Sequence, residues 1–329
     1  MGKSLINYNY VLSKDYRDVL MGLSIIWIVL HHFFGFSPSC SSVFLLFAQG
    51  SVGVDIFFFL SVYGLCYSFN SNSVGRYYIN RLKRLFPIYA LFVALWYGGQ
   101  FLYPIGDCKR IIINTISLSS CFAHMRTGID IIEWYIPAQM FIYILFPVIF
   151  ILMRKVCSFR TGYIIFSFFL FVGLGVFLSL FASKALFLRL PVIFIGILLY
   201  FIPGKISYII IFISAISSLF IPHMYALSSS LIVPVCLLGY NFLFGTISDK
   251  HDFKIIKLIR FLGKHSLEIY LAQVIATAYY LKNTTHNIFV AWVISIIIII
   301  VCSYILCKSQ SLFLKMTSKI QFKKIDSNE

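Results

Sequence analysis

The chain has 329 residues, of which 60% are hydrophobic and only 12% are charged. Its mean hydropathy of +0.92 exceeds what the core of a water-soluble protein of this length requires, which excludes that class. The formal net charge of +16 would suit a nucleic-acid-binding protein, but the basic residues are dispersed and form no binding module. We therefore predict an all-α, polytopic membrane protein that lies in a lipid bilayer and has no nucleic-acid partner.

The apolar residues are grouped in runs of the length that spans a membrane, roughly 17 to 25 residues. In chain order the runs occupy residues 19–36, 50–70, 85–104, 134–153, 162–182, 186–202, 206–222, 228–247, 265–282 and 288–307. The apolar stretch 111–122 is too short to span and is predicted to be an interfacial or re-entrant piece of an outer loop. The pattern predicts ten transmembrane helices in one membrane domain, residues 1–314, followed by a frayed polar tail, residues 315–329.

The basic residues predict the orientation of these helices. Most of the 27 lysines and arginines fall on segments that are cytoplasmic if both termini are cytoplasmic. This distribution agrees with the positive-inside rule and with an even number of spans. The first apolar run has no small-residue cleavage site, so we expect it to be retained as a signal anchor.

The first predicted helix carries an acid at its start and two adjacent histidines near its far end. His32 lies fourteen residues after Asp18, and His31 precedes it. An ionisable side chain within the hydrocarbon layer is costly, so it usually faces a bundle interior or a water-filled cavity. Neighbouring positions on a helix point about 100° apart, so His31 and His32 cannot both face one cavity.

Four polar residues are predicted to lie in the outer half of the membrane. Helix rise places His32 about 21 Å above the inner boundary, and places Asp55 and Gln139 about 8 Å below the outer boundary. Arg189 is expected slightly higher, where it either snorkels outward or closes the roof of a cavity. Each of these residues could instead stabilise helix packing, and for Asp55 this would mean pairing with a basic group. The shared depth nevertheless favours a functional cavity.

The eight cysteines show no spacing typical of a metal site. Most fall in or near apolar segments, where cysteine packs as a small hydrophobic residue. We therefore expect no metal cofactor.

Segments in five predicted regions resemble, in order, the acyltransferase-3 family of ten-helix membrane O-acyltransferases that modify bacterial surface sugars. The resemblance covers nearly the whole chain. It is carried by DVLMGLSIIWIVLHH (Asp18–His32), GVDIFFFLSVYGL (Gly53–Leu65), RLKRLFPIY (Arg81–Tyr89), WYIPAQMFIYILFP (Trp134–Pro147) and LGKHSLEIYLAQ (Leu262–Gln273).

The chain departs from the family pattern at three positions. Met21 stands where the family has a basic residue on the first helix, Gln139 where an acid is often found, and Gln273 where a histidine often ends the late block. Arg17 is four residues before Met21 and therefore lies on the same helical face, from which it can reach the same region. An inactive family member is the alternative that these departures leave open.

The resemblance implies a bacterial inner-membrane enzyme that moves an acyl group, expected to be acetyl, from cytosolic acetyl-CoA to a hydroxyl of a cell-envelope polysaccharide. It assigns the family histidine to His32, either as general base or as a covalent acyl carrier. Asp55 is expected to orient the imidazole and to stabilise its charged form.

The resemblance also suggests where the two substrates bind. Arg81 and Arg84, together with Arg17, are expected to hold the phosphates of the donor at the cytoplasmic mouth, although basic residues there also determine topology. The carbohydrate acceptor is expected in a cavity lined by Ser61, Trp134, Gln139 and Arg189.

Two other classes of function remain open at this point. A secondary transporter also has about ten helices with buried charges. Inverted repeats or paired broken helices would indicate a transporter, and the sequence shows neither. A non-catalytic component of a polysaccharide-export assembly is favoured by the departures at Met21 and Gln273. Transfer of labelled acetyl groups from acetyl-CoA by isolated membranes separates the enzyme from both.

Overall fold

A computed structural model describes residues 14–34, 50–102, 134–158, 161–181, 184–201, 254–283 and 288–326. These ranges are built from α-helices, as the sequence predicts. The helices are α1 (Lys14–Phe34), α2 (Ser51–Asn70), α3 (Val74–Leu102), α4 (Tyr135–Ser158), α5 (Thr161–Phe181), α6 (Lys184–Phe187), α7 (Leu190–Phe201), α8 (Lys254–Lys264), α9 (Ser266–Asn283) and α10 (Ile288–Asp326).

Within the described ranges, four helical segments are long and apolar enough to cross a membrane: Val52–Asn70, Tyr135–Ser158, Tyr163–Leu180 and Phe289–Met316. Each of them overlaps a predicted span. Two shorter apolar helical segments, Leu190–Phe201 and Ser266–Ala278, fall in two further predicted spans. The predicted spans 206–222 and 228–247, and the short stretch 111–122, lie outside the described residues.

Three differences between the helix boundaries and the prediction bear on the site or on the tail. Helix α3 begins at Val74, eleven residues before the predicted span, so the basic segment forms its first turns. The predicted span 186–202 is broken at Arg189, and Pro191 then lies in the first turn of α7, where a proline is tolerated. The expectation of a frayed tail is wrong as far as Asp326, because helix-forming residues without glycine or proline continue α10.

Close contacts between backbones determine how α1 lies in the bundle. Gly50 and Gly53 bring the start of α2 against α1, where the space of a side chain on Gly53 is taken by Ile28 and by the Ser24 carbonyl. On another side of α1, Gly22 meets the backbone of Ile259 in α8. These approaches position α1 between α2 and α8.

Helices α5 and α10 present apolar side chains outward. Phe166 and Leu180 on α5 are 66% and 71% exposed, and Ile300 on α10 is 63% exposed. In a water-soluble protein such faces would be covered, whereas lipid accommodates them without cost. The core between α2, α4 and α7 is filled instead by buried aromatic rings, including Phe58, Phe59, Phe146 and Phe194.

Candidate functional site

A pocket of about 390 Å³ opens where the beginning of α1 meets α3, α8, α9 and α10. We call it the basic pocket because three of its lining residues are cationic. It is lined by Arg17, Asp18, Met21, Arg84, Gly263, Lys264, Ser266, Leu267, Glu268 and Gln310.

Glycine makes this pocket possible. A side chain at Gly263 would collide with the Asp18 carbonyl and with the Gly22 backbone nitrogen. The end of α8 therefore reaches the start of α1 only with glycine at this position, and the contact places Lys264 in the wall of the pocket that Arg17 also lines.

The polar groups of the basic pocket are incompletely paired. The Nε atom of Arg17 and the Oδ2 atom of Asp18 are buried and have no hydrogen-bond partner among the described residues. Burial, followed by the charge of Arg84, lowers the pKa of the Arg17 guanidinium. Arginine stays protonated in proteins, so an anion bound here would relieve the electrostatic cost of placing these charges together.

A smaller pocket of about 40 Å³, which we call the inner pocket, continues from the basic pocket into the bundle. The two share Met21, Arg84, Ser266 and Leu267. The remaining residues that line the inner pocket are Phe57, Ser61, Leu85, Tyr135, Ile136, Gln139, Tyr143 and Tyr270.

Gln139 is the most informative polar residue of the inner pocket. Its side chain is buried, with the residue 2% exposed, and in the described part of the chain neither its amide nitrogen nor its oxygen has a hydrogen-bond partner. A buried amide without partners costs about 1 to 3 kcal/mol, so such groups call for an explanation. A ligand or water in the inner pocket would provide the missing hydrogen bonds.

The Asp55 and Arg189 side chains form a buried salt bridge farther from the basic pocket. Arg189 Nε and Asp55 Oδ1 are 3.0 Å apart, and the two side chains are 5% and 0% exposed. The guanidinium also lies 5.1 Å from the ring centroid of Trp134, a cation–π contact. Arg189 therefore does not snorkel outward, because a carboxylate buried without a counter-charge would be more costly. The sequence analysis leaves two alternatives for Asp55, a functional cavity or pairing with a basic group, and the structure shows the pairing.

His32 lies near the outer-facing end predicted for α1. Its Nδ1 is 2.8 Å from the Ile28 carbonyl oxygen, which can only accept a hydrogen bond. Nδ1 therefore carries the proton in the neutral ring, and Nε2 carries the lone pair that a general base requires.

The predicted common depth of His32, Asp55 and Gln139 is wrong. His31, beside His32, contacts Gly50, which is five residues or about 7 Å along α2 from Asp55. Gln139 shares the inner pocket with Ser61, six residues or about 9 Å farther along α2 in the opposite direction. The prediction failed because an apolar run gives the length of a helix but not its height relative to its neighbours.

Aromatic rings separate the inner pocket from the salt bridge. Phe58 has ring contacts with Tyr135 at 5.0 Å and with Trp134 at 6.2 Å, and Tyr135 contacts Tyr270 at 5.1 Å. We call these four residues the aromatic layer. Among the described residues, the two pockets extend from Arg84 as far as this layer, and His32 lines neither of them.

Arg81 and Arg84 have different surroundings although they are three residues apart on α3. Arg84 lines both pockets. Arg81 donates a hydrogen bond to the Ser68 hydroxyl at 2.6 Å and lies over the rings of Tyr77 and Tyr143. The structure thus brings Arg17 and Arg84 together with Met21 in the basic pocket, and directs Arg81 to the packing of α3 against α2 and α4.

Several pocket residues escaped the sequence analysis. The late block LGKHSLEIYLAQ contains three of them, Lys264, Ser266 and Glu268. Polar residues in an otherwise apolar block could have indicated a site, but their spacing alone matched no known pattern. Gln273 of the same block is buried and donates a hydrogen bond to Thr277 at 2.7 Å. Gln310 gave no such signal, because it follows the last predicted span.

A comparison with protein families matches most of the chain. Residues 15–308 match the model of a family described as an acyltransferase domain. The matched range contains both pockets except Gln310, as well as the salt bridge and His32. Comparisons with curated proteins and with solved structures gave no significant match.

Proposed function

Because the chain belongs to the acyltransferase-3 family, we propose that it transfers an acetyl group from cytosolic acetyl-CoA to a hydroxyl of a cell-envelope polysaccharide. The observation that carries this proposal is the basic pocket, which adjoins an inner pocket where the Gln139 amide has no hydrogen-bond partner among the described residues. The family match favours this enzyme over a transporter or a non-catalytic export component.

The proposal includes the topology that the sequence predicts. Ten spans with both termini in the cytoplasm of a bacterium place the protein in the inner membrane, with residues 1–314 as its membrane domain. Helices α2 and α4 support this topology because they run in the same direction, with Phe58 against Tyr135 and Phe69 against Phe150. With this orientation the basic pocket opens to the cytoplasm, where acetyl-CoA is available.

The donor is proposed to bind in the basic pocket. Its volume of about 390 Å³ falls in the range of ligand-binding pockets. Arg17, Arg84 and Lys264 supply fixed positive charge for phosphate groups, and arginine binds phosphate with two parallel hydrogen bonds. Arg81 has a secondary part in this proposal, because its guanidinium already contacts Ser68.

The size of the inner pocket favours a short acyl group. Its volume of about 40 Å³ is about a tenth of the volume of the basic pocket. An acetyl group that passes Met21 would meet the Gln139 amide and the Ser61 hydroxyl there. A long acyl chain would require the bundle to rearrange.

The proposed chemistry follows from the reactivity of an alcohol and a thioester. The acceptor oxygen attacks the acyl carbon, the bond to the coenzyme A sulfur breaks, and the hydroxyl proton passes to His32 Nε2 and then to the leaving thiolate. Alternatively, Nε2 attacks the acyl carbon first and the coenzyme A thiolate leaves. The acceptor hydroxyl then attacks the same carbon, the bond to Nε2 breaks, and the hydroxyl proton passes through Nε2 to the thiolate. In this proposal the acyl group passes the aromatic layer to reach His32. Asp55 and Arg189 are proposed to stabilise the charges that develop on that side of the layer.

The test is acetyl transfer by membranes that contain the protein, measured with labelled acetyl-CoA. Replacing Arg17 and Arg84 together by alanine is expected to raise the apparent KM for acetyl-CoA about tenfold for each 1.4 kcal/mol of lost phosphate contact. Arg154→Ala is the matched control, because Arg154 is an exposed arginine on α4 that lines neither pocket.

Two results would contradict the proposal. Membranes with the wild-type protein at normal abundance that transfer no label would exclude the acetyltransferase reaction. An unchanged KM in the Arg17 and Arg84 variant would exclude the basic pocket as the donor site.

A further inference from the structure

Three side chains with metal-binding atoms meet where α8, α9 and α10 come together. His265 lies in the turn between α8 and α9, Glu268 in the first turn of α9, and Cys307 on α10. One nitrogen, one carboxylate oxygen and one sulfur of these residues all lie within 4.8 Å of one another. The family match and the proposed reaction give no role to this cluster.

The separation of the sulfur and the nitrogen suits a common metal ion. Cys307 Sγ and His265 Nδ1 are 3.3 Å apart. A tetrahedral zinc ion, bound at about 2.3 Å to sulfur and about 2.0 Å to nitrogen, separates these two atoms by about 3.5 Å. The pair therefore already has nearly the spacing of two zinc ligands.

Glu268 provides the second, independent observation. The residue is only 6% exposed, and it forms no salt bridge with any residue of the described ranges. Buried carboxylates are almost always paired with a positive charge or bound to a metal. The carboxylate lies on the side of the cluster that lines the basic pocket.

We propose that His265, Glu268 and Cys307 bind a divalent transition metal, zinc being the best match. Imidazole, thiolate and carboxylate are the ligands that zinc takes in proteins, and three protein ligands leave a fourth position for water. The ion joins the turn before α9 to α10 and adds positive charge to the wall of the basic pocket. The ligands come from positions up to 42 residues apart, so no local spacing in the sequence reveals them.

The experiment measures the zinc content of the full-length protein purified in detergent, by mass spectrometry. We expect about one zinc ion per chain in the wild type, and at least a tenfold loss in Cys307→Ser and in His265→Gln. Cys302→Ser is the matched control, because it removes a cysteine from the same helix outside the cluster and should keep the metal.

Two measurements on the wild-type chain keep the test independent of how the variants fold. Cobalt should replace zinc and give a thiolate-to-cobalt charge-transfer absorption, and a strong chelator should lower the thermal unfolding temperature. Absence of both effects, with less than about a tenth of a zinc ion per chain after incubation with zinc, would overturn the proposal. The cluster would then be a thiol hydrogen-bonded to an imidazole. Equal zinc in the wild type and in folded Cys307→Ser would overturn it as well.

Discussion

The two ends of the site differ in how their buried polar groups are paired. In the basic and inner pockets, atoms of Arg17, Asp18 and Gln139 are buried and have no hydrogen-bond partner in the part of the chain that the structure describes. Beyond the aromatic layer, Asp55 and Arg189 are paired with each other, and the guanidinium also lies over Trp134. We therefore propose that the first region receives a ligand, whereas in the second the two charges of the salt bridge compensate each other.

The largest expected effect concerns His32, which lies on the side of the aromatic layer where polar groups are paired. His32→Ala should reduce acetyl transfer by about a hundredfold to ten-thousandfold, because a general base or acyl carrier is lost. His31→Ala is the control, since His31 packs against Gly50 on another face of α1 and should have a milder effect. The measurement is the transfer rate per amount of protein in the membrane. Equal losses in the two variants would contradict the assignment to His32.

The salt bridge provides the second test, through stability. Arg189→Met leaves the Asp55 carboxylate buried without its counter-charge and should destabilise the protein by about 3 to 5 kcal/mol. Combining Arg189→Met with Asp55→Leu removes both charges and should restore thermal stability in detergent without restoring transfer. A double variant as unstable as the single one would show that the pairing does not stabilise the fold.

The contact between α8 and α1 is expected to give a smaller effect. In Gly263→Ala the added methyl group meets the Asp18 backbone, and such overpacking typically costs about 1 to 3 kcal/mol. Gly64→Ala on α2 is the control: among the described residues, no atom outside the adjoining backbone of α2 lies within 4 Å of the added carbon, so stability should stay the same or rise by up to about 1 kcal/mol. Thermal unfolding in detergent measures both. Similar unfolding temperatures for the two variants would mean that the close approach at Gly263 is not required.

The smallest effect on stability is expected at Gln139. A substitution there distinguishes a role in ligand binding from a role in packing. Gln139→Leu removes a buried amide that has no partner among the described residues, so stability should be unchanged or rise by about 1 kcal/mol. Acetyl transfer should nevertheless fall, because the inner pocket loses its amide. If both stability and transfer fell together, Gln139 would be a packing residue.

Local periodicity correctly predicted that two residues of α1 face the same region. Arg17 was expected on the face of Met21 from their four-residue spacing, and the two line the same pocket. The helical class, and the apolar segments that the described helices confirm, followed from hydropathy because lipid imposes a strong and regular pattern on sequence.

The relative heights of the helices, and the contacts between residues far apart in the chain, could not be predicted from the sequence. The equal heights predicted for His32, Asp55 and Gln139 depended on where each helix begins, which is determined by contacts such as Gly50 with α1. The Asp55 and Arg189 pair and the Cys307 and His265 contact join residues far apart in the chain. Only three-dimensional packing brings such residues together.

Helix α10 has a practical consequence for attaching probes to this protein. Its 39 residues extend about 58 Å, nearly twice the thickness of a bilayer core. The ten residues after the apolar segment that ends at Met316 continue the helix for about 15 Å. A fluorescent protein or affinity tag joined after Asp326 would therefore be held away from the mouth of the basic pocket by a stiff rod, and diffusion of a soluble substrate into that mouth should proceed unobstructed.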